Sequence, residues 1–257
     1  MTAPHYASQA LIIAALLAAA GSAVAAEQTC QLAPAGSAEV AAVRDGRTLL
    51  LRDGSELRLA GIEAAAGSDA QTTLGALALG KMLTLKRLGP EARDRYGRLV
   101  AFAFVPNSAQ SLQQALLDQG LARVSARIGD KACADALLTS ERAARATNRG
   151  LWGDPNFAPL PSDDLPRLAA QQGRFALVEG KVLSVRESGG TIYLNFGRRW
   201  TRDFSVFIAG RLRRNFAAAG IEPKSLEGRR IRVRGIIEQR NGPIIEAAAP
   251  EQIETVN

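Results

Sequence analysis

Two Asp-Gly dipeptides eight residues apart, Asp45-Gly46 and Asp53-Gly54, divide residues 38–61 into three short runs. Asp-Gly between alternating apolar residues is a hairpin signal, because both residues adopt the turn conformations at little cost. Residues 38–43, 48–52 and 56–61 therefore read as antiparallel strands. In the third run Leu57, Leu59 and Gly61 alternate with Arg58 and Ala60, which puts Arg58 on the face away from its apolar neighbours. Ser68-Asp69-Ala70-Gln71 reads as a capping box opening a helix to about residue 80. Residues 82–88 and 99–105 are strand-like around the polar turn 94–98. Helices are expected over 111–119, capped by Gly120, and over 132–148, where Leu137, Leu138, Glu141 and Ala144 share helical spacing. Gly150-Leu151-Trp152 closes this unit, with Trp152 as a core plug.

Chain-wide features bound the chemistry. Residues 1–26 read as a secretory signal. The apolar run 11–20 is short for a membrane span, and Ala23-Val24-Ala25 or Val24-Ala25-Ala26 fits a small-residue cleavage site. The alternative is a short uncut anchor; after cleavage no stable membrane anchor is expected. Glu27-Gln28-Thr29 ahead of Cys30 is not a lipoprotein box. The only histidine is His5, so the mature protein has no His for a Ser-His-Asp or Cys-His nucleophile, a zinc ligand or a general base. Its cysteines, Cys30 and Cys133, are expected to pair in an oxidising periplasmic or extracellular setting, and neither carries a reactive-thiol signature.

Three motifs in register resemble the thermonuclease (staphylococcal-nuclease-like) family: Asp45-Gly46-Arg47-Thr48, then Arg58-Leu59-Ala60-Gly61-Ile62-Glu63, then Asp94-Arg95-Tyr96-Gly97-Arg98. The family pattern is D-G-D-T, R-L-x-G-I-D-x-P-E and D-R-Y-G-R. The resemblance covers roughly residues 38–153. It implies a five-stranded oligonucleotide-binding-like (OB-like) barrel with three helices, within a domain spanning 27–153. It also implies Ca²⁺-dependent phosphodiester hydrolysis, in which two carboxylates hold the ion, a glutamate activates water and two arginines hold the phosphate. Arg58 and Arg98 match the arginines, and Glu63 stands in the place of one metal aspartate. Arg47 replaces the other, and Ala66 replaces the general base.

Those two departures carry the functional expectation. A guanidinium cannot coordinate a cation, and it changes the local charge by two units. A hard dication needs several oxygen ligands with compensating charge. Losing the general base typically removes about 10² to 10⁴ in rate. No cofactor is therefore expected, with Ca²⁺ weakly at Glu63 only if hydrolysis persists. Arg47 is expected to pair with Glu63 and to form, with Arg58 and Arg98, a cationic phosphate pocket; a purely structural Arg–Glu pair is the alternative.

Residues 154–166 hold four prolines and three aspartates and read as an exposed, semi-rigid linker. Residues 167–257 read as a second, basic five-stranded OB-like barrel, resting on Tyr193-Leu194-Asn195-Phe196-Gly197, Asp203-Phe204 and the Asn241-Gly242-Pro243 hairpin. The charge is lopsided: residues 27–164 carry 16 basic and 16 acidic side chains, whereas 165–257 carry 16 and nine. Such asymmetry suggests a polyanion partner. Tyr193, Trp200, Arg198, Arg199, Arg230, Arg232 and Arg234 are the expected nucleic-acid contacts, the last three sharing one face of a strand. The whole reads as an α+β, mainly β chain of two tandem OB-like barrels. The expected function is that of an exported nuclease-like protein binding nucleic acid or another phosphorylated polyanion. An active extracytoplasmic nuclease with altered metal use and a structural envelope protein are the alternatives.

Overall fold

A computed structural model describes residues 29–64, 68–90 and 93–256. The expected leader and Ala66 lie outside the described residues, as does the Ser68 side chain. The first unit comprises β1 (Ala33–Asp45), β2 (Thr48–Leu51), β3 (Glu56–Leu59), β4 (Ile62–Ala64), α1 (Ser68–Ala78), β5 (Met82–Arg87), β6 (Leu99–Phe104), α2 (Leu112–Asp118), β7 (Ala122–Val124) and α3 (Lys131–Ala146). The second comprises β8 (Leu160–Pro161), α4 (Leu165–Ala170), β9 (Phe175–Lys181), β10 (Ser184–Ser188), β11 (Thr191–Asn195), β12 (Ser205–Ala209), α5 (Arg213–Ala218), β13 (Arg230–Ile236), β14 (Glu238–Gln239), β15 (Pro243–Glu246) and β16 (Ile253–Thr255).

The two Asp-Gly turns connect β1 to β2 and β2 to β3, and the strands close into a barrel ordered β1-β2-β3-β6-β5. Period-two alternation fixes the register: Leu57 and Leu59 are buried while Arg58 is not. β3 and β6 run parallel, pairing Arg58 with Val100. Leucines from the strands meet Leu74 of α1, Leu116 of α2 and Leu137 and Leu138 of α3 in one core. Ser111 caps α2 through a reciprocal box with Gln114. Cys30 and Cys133 form a disulfide that ties the chain ahead of β1 to the first turn of α3.

In the second unit the order β10-β11-β12-β15-β14 makes one sheet and β16-β13-β9-β8 another. Both bury residues in a single core, among them Ile192 and Val206 from the first sheet and Val178 and Val233 from the second. Where a five-stranded barrel is expected there are two sheets, and the expected run 175–185 is two strands, β9 and β10, one in each sheet. The Pro/Asp-rich segment is exposed or half-buried except at Leu160, and it is anchored there: β8 pairs in parallel with β9. No helix among the described residues is long and apolar enough to cross a membrane.

The units are locked together between α3 and β13. Glu141 of α3 faces the core, as its spacing predicts, and receives both terminal nitrogens of Arg234 at 3.0 Å. Arg234 also donates to Val124 O at 3.0 Å and to Glu254 of β16. Glu254 is further held by Arg142 at 2.9 Å and Arg145 at 3.4 Å. Trp152 packs with Ala144 and Leu177 across the same seam, and Arg123 sits over the Phe175 ring at 4.9 Å.

Candidate functional site

The Asp45-Gly46 turn presents Arg47, whose backbone N–H donates to Asp45 Oδ1 at 2.8 Å. A side chain on Gly46 would meet Ala70 Cβ at 2.7 Å and Ala64 Cβ at 2.9 Å, so glycine lets α1 and β4 approach the turn. That approach sets Arg47 against β4, where Glu63 follows buried Ile62. Arg47 Nη1 donates to Ile62 O at 3.1 Å and to Glu63 Oε2. Arg58 Nη2 approaches the other oxygen, Glu63 Oε1, at 3.4 Å. One carboxylate therefore lies between two guanidiniums, each about a quarter exposed.

Arg98 takes a different partner. The turn Asp94–Arg98 closes on itself, and Asp94 Oδ2 accepts from Arg98 Nε at 2.9 Å and lies 2.8 Å from Nη2. Tyr96 flanks the guanidinium at 5.1 Å. Hydrogen bonding to Asp94 raises the Arg98 pKa. Burial works to raise that of Asp94, but the hydrogen bonds from Arg98 and from the Tyr96 and Arg98 N–H groups outweigh it and lower the value. Arg58 has its pKa lowered, first by burial and then by the positive charge of Arg47, with Glu63 opposing. Positive charge around Arg58 is thus only partly compensated. Arg58, Glu63 and Asp94 face a cleft of about 460 Å³ whose opposite wall is the second unit, at Ile236, Glu238 and Glu246.

The expected nucleic-acid set of the second unit divides. Trp200, Arg198 and Arg199 are exposed on one loop, and Tyr193 is half-buried on β11. The β13 arginines share a face, as alternation predicts, but the Arg234 end of that face is covered by protein, whereas Arg230 is exposed. Arg234 is 1% exposed and pairs with Glu141 and Glu254, so burial removes it from the strand-binding set. Arg230 and Arg232 both pair with Glu179, at 2.8 and 2.6 Å. Arg186 and Arg240, absent from the expected set, instead border the groove that holds Tyr193 and Trp200. Cross-strand register on β10 was the signal that would have found Arg186.

No curated protein matches the chain. The family model described as Staphylococcal nuclease homologue matches residues 56–154, which include Arg58, Glu63 and Arg98 and begin after Arg47, so the chain carries a nuclease-like domain of that family.

Proposed function

We propose that the first unit binds the phosphates of nucleic acid without a metal ion and without cutting them, and that the protein works outside the cytoplasm. The observation that supports this most directly is the placement of Glu63, with one oxygen toward Arg47 and the other toward Arg58. Oxygens engaged by guanidinium donors are not free to ligate a dication. Among the described residues no group of three or more His, Cys, Asp or Glu side chains has the spacing of a metal site. The donor set therefore does not fit the Ca²⁺ of the family, and Ala66 carries no base to activate water. What remains is the phosphate-holding half of the machinery: planar guanidiniums suited to paired phosphate oxygens, with an excess of positive charge at Arg58. The Cys30–Cys133 disulfide and the signal-like residues 1–26 support export.

The test uses the mature protein with single-stranded DNA and Ca²⁺. We expect salt-sensitive binding that weakens about tenfold in Arg58→Ala, as for loss of one charge-assisted contact, and no Ca²⁺-dependent cleavage. Cleavage that disappears with chelator and in Arg98→Ala would overturn the proposal. The paired substitution Arg47→Asp with Ala66→Glu restores both missing carboxylates and is expected to confer Ca²⁺ binding by calorimetry and measurable cleavage.

A further inference from the structure

We infer that the outward face of β10, β11 and β12 in the second unit is a second binding site, specific for single-stranded nucleic acid. Strand register builds it. Arg186 of β10, Tyr193 of β11 and Phe207 of β12 are direct cross-strand neighbours and so share one side of the sheet. The adjacent row on the same side is Ser184, Asn195 and Ser205. The opposite side carries Ile192 and Ile208, then Leu194 and Val206, all in the core. One face is thus apolar and in the core, while the other alternates an aromatic row with a hydrogen-bonding row; on it Phe207, Asn195 and Ser205 are largely covered and Arg186 and Tyr193 reach the surface.

Trp200 completes the platform. Its side chain is 66% exposed, which is unusual for the largest apolar residue. It sits on a constrained loop rather than a loose one. Asp203 Oδ2 accepts from the Arg199 N–H at 2.8 Å, and the N–H groups of Arg202 and Asp203 both return to Arg199 O at 2.8 Å. A Cβ on Gly197 would fall 2.0 Å from Asp203 Oδ2, so glycine is needed for this closure. The loop backbone is thus held so that Trp200 stands at a groove of about 650 Å³ that also contains Tyr193, Asn195, Asn241, Arg186 and Arg240.

The charge around the groove selects the ligand. Arg186 lines the groove, and Arg198, Arg199 and Arg202 are exposed on the loop that carries Trp200. Arg240 lies over Phe207 at 4.2 Å with Glu238 at 3.3 Å from its guanidinium. The groove's own carboxylate, Glu187, is engaged by Arg213 at 3.2 Å. Aromatic faces beside guanidiniums match bases and phosphates in alternation, and only unpaired bases offer a free face to stack on. The platform also leads toward the first unit. Phe207 is in register with Glu246, which pairs with Arg127 at 3.3 Å on the rim of the cleft holding Arg58. The inference does not depend on the first-unit phosphate site, because none of its contacts is shared.

The experiment uses the mature full chain with a fluorescently labelled oligothymidylate, its duplex counterpart and dextran sulfate. Binding is read by anisotropy, and stacking by quenching of tryptophan emission. Trp152 is buried and Trp200 exposed, so quenching on binding reports Trp200. The expected result is preference for the single strand over the duplex, quenching by the oligonucleotide but not by dextran sulfate, and about tenfold weaker binding in Trp200→Ala. Arg186→Ala should lower the salt slope by about one. Equal affinity for duplex, single strand and dextran sulfate, or wild-type affinity in both Trp200→Ala and Tyr193→Ala, would overturn it. In Arg58→Ala the Trp200 quenching should persist. Failure of the first-unit reading would therefore remove the Arg58 effect and leave the Trp200 effect intact.

Discussion

Arg234 and Arg47 place the same functional group in opposite surroundings. Arg47 and Glu63 are each about a quarter exposed, so water still screens the pair and the guanidinium can exchange partners. Arg234 is enclosed, with two carboxylates and a carbonyl as its acceptors. Burial works against its charge, but Glu141 and Glu254 more than compensate, and its pKa is raised. Removing one member of such a set leaves the others charged and out of water. Arg234→Ala is therefore expected to cost about 3–5 kcal/mol. Arg230→Ala, four residues earlier, breaks a pair whose arginine is 60% exposed and should cost less than about 1 kcal/mol. Urea denaturation of the two variants measures the contrast directly.

At the level of elements, strand alternation was sufficient to orient Arg58, and helical spacing was sufficient to turn Glu141 inward. Neither pattern names a partner. Arg234 lies 93 residues from Glu141, and local periodicity contains nothing about contacts at that range. The same limit explains the β13 arginines: alternation puts them on one face correctly, but says nothing of the first-unit residues that cover its Arg234 end. At residues 154–166 composition, dominated by prolines and aspartates, does not reveal that the one buried residue, Leu160, anchors the segment to β9. The motifs made Arg47, Glu63 and Arg58 legible as a group, although they come from three places, the β1–β2 turn, β4 and β3. Arg98 was harder to place because its turn supplies its own carboxylate, Asp94. Pairing of Cys30 with Cys133 followed from compartment and number, and its mechanical consequence belongs to α3. The bridge spans a sequence separation of 103 residues, and the chain-entropy model assigns such a loop about 4–5 kcal/mol. Reduction, or Cys30→Ala with Cys133→Ala, should lower the denaturation midpoint by a corresponding amount in a urea titration with and without reductant.

For the molecule as a whole, the α3–β13 seam decides whether the cleft and the platform stay on one continuous surface. Glu254 is the seam's titratable hinge point. Burial would raise its pKa, but Arg234 and Arg145, together with hydrogen bonds from Arg142 and Arg234, hold it down at about 2 against an ordinary 4.5. A carboxyl whose folded pKa is depressed stabilises the folded state above its unfolded pKa, and that contribution disappears as pH falls toward the folded value. The window is therefore about pH 4.5 to 2, and the difference corresponds to about 3 kcal/mol. Arg142 and Arg145 belong to the first unit and Arg234 to the second, so protonating Glu254 weakens the contact between units rather than either core. Trp152, packed against Leu177 at the same seam, is the natural reporter. In a Trp200→Phe background its emission should shift to the red as pH falls from 5 to 2, before the far-ultraviolet signal of the strands is lost. Glu254→Gln should produce the shifted emission already at pH 7 and flatten the profile through the acid window. If the seam instead held through pH 2 with Trp152 unchanged, the ionic cluster would not be what couples the units, and the apolar contact of Ala144, Trp152 and Leu177 would have to carry that coupling by itself.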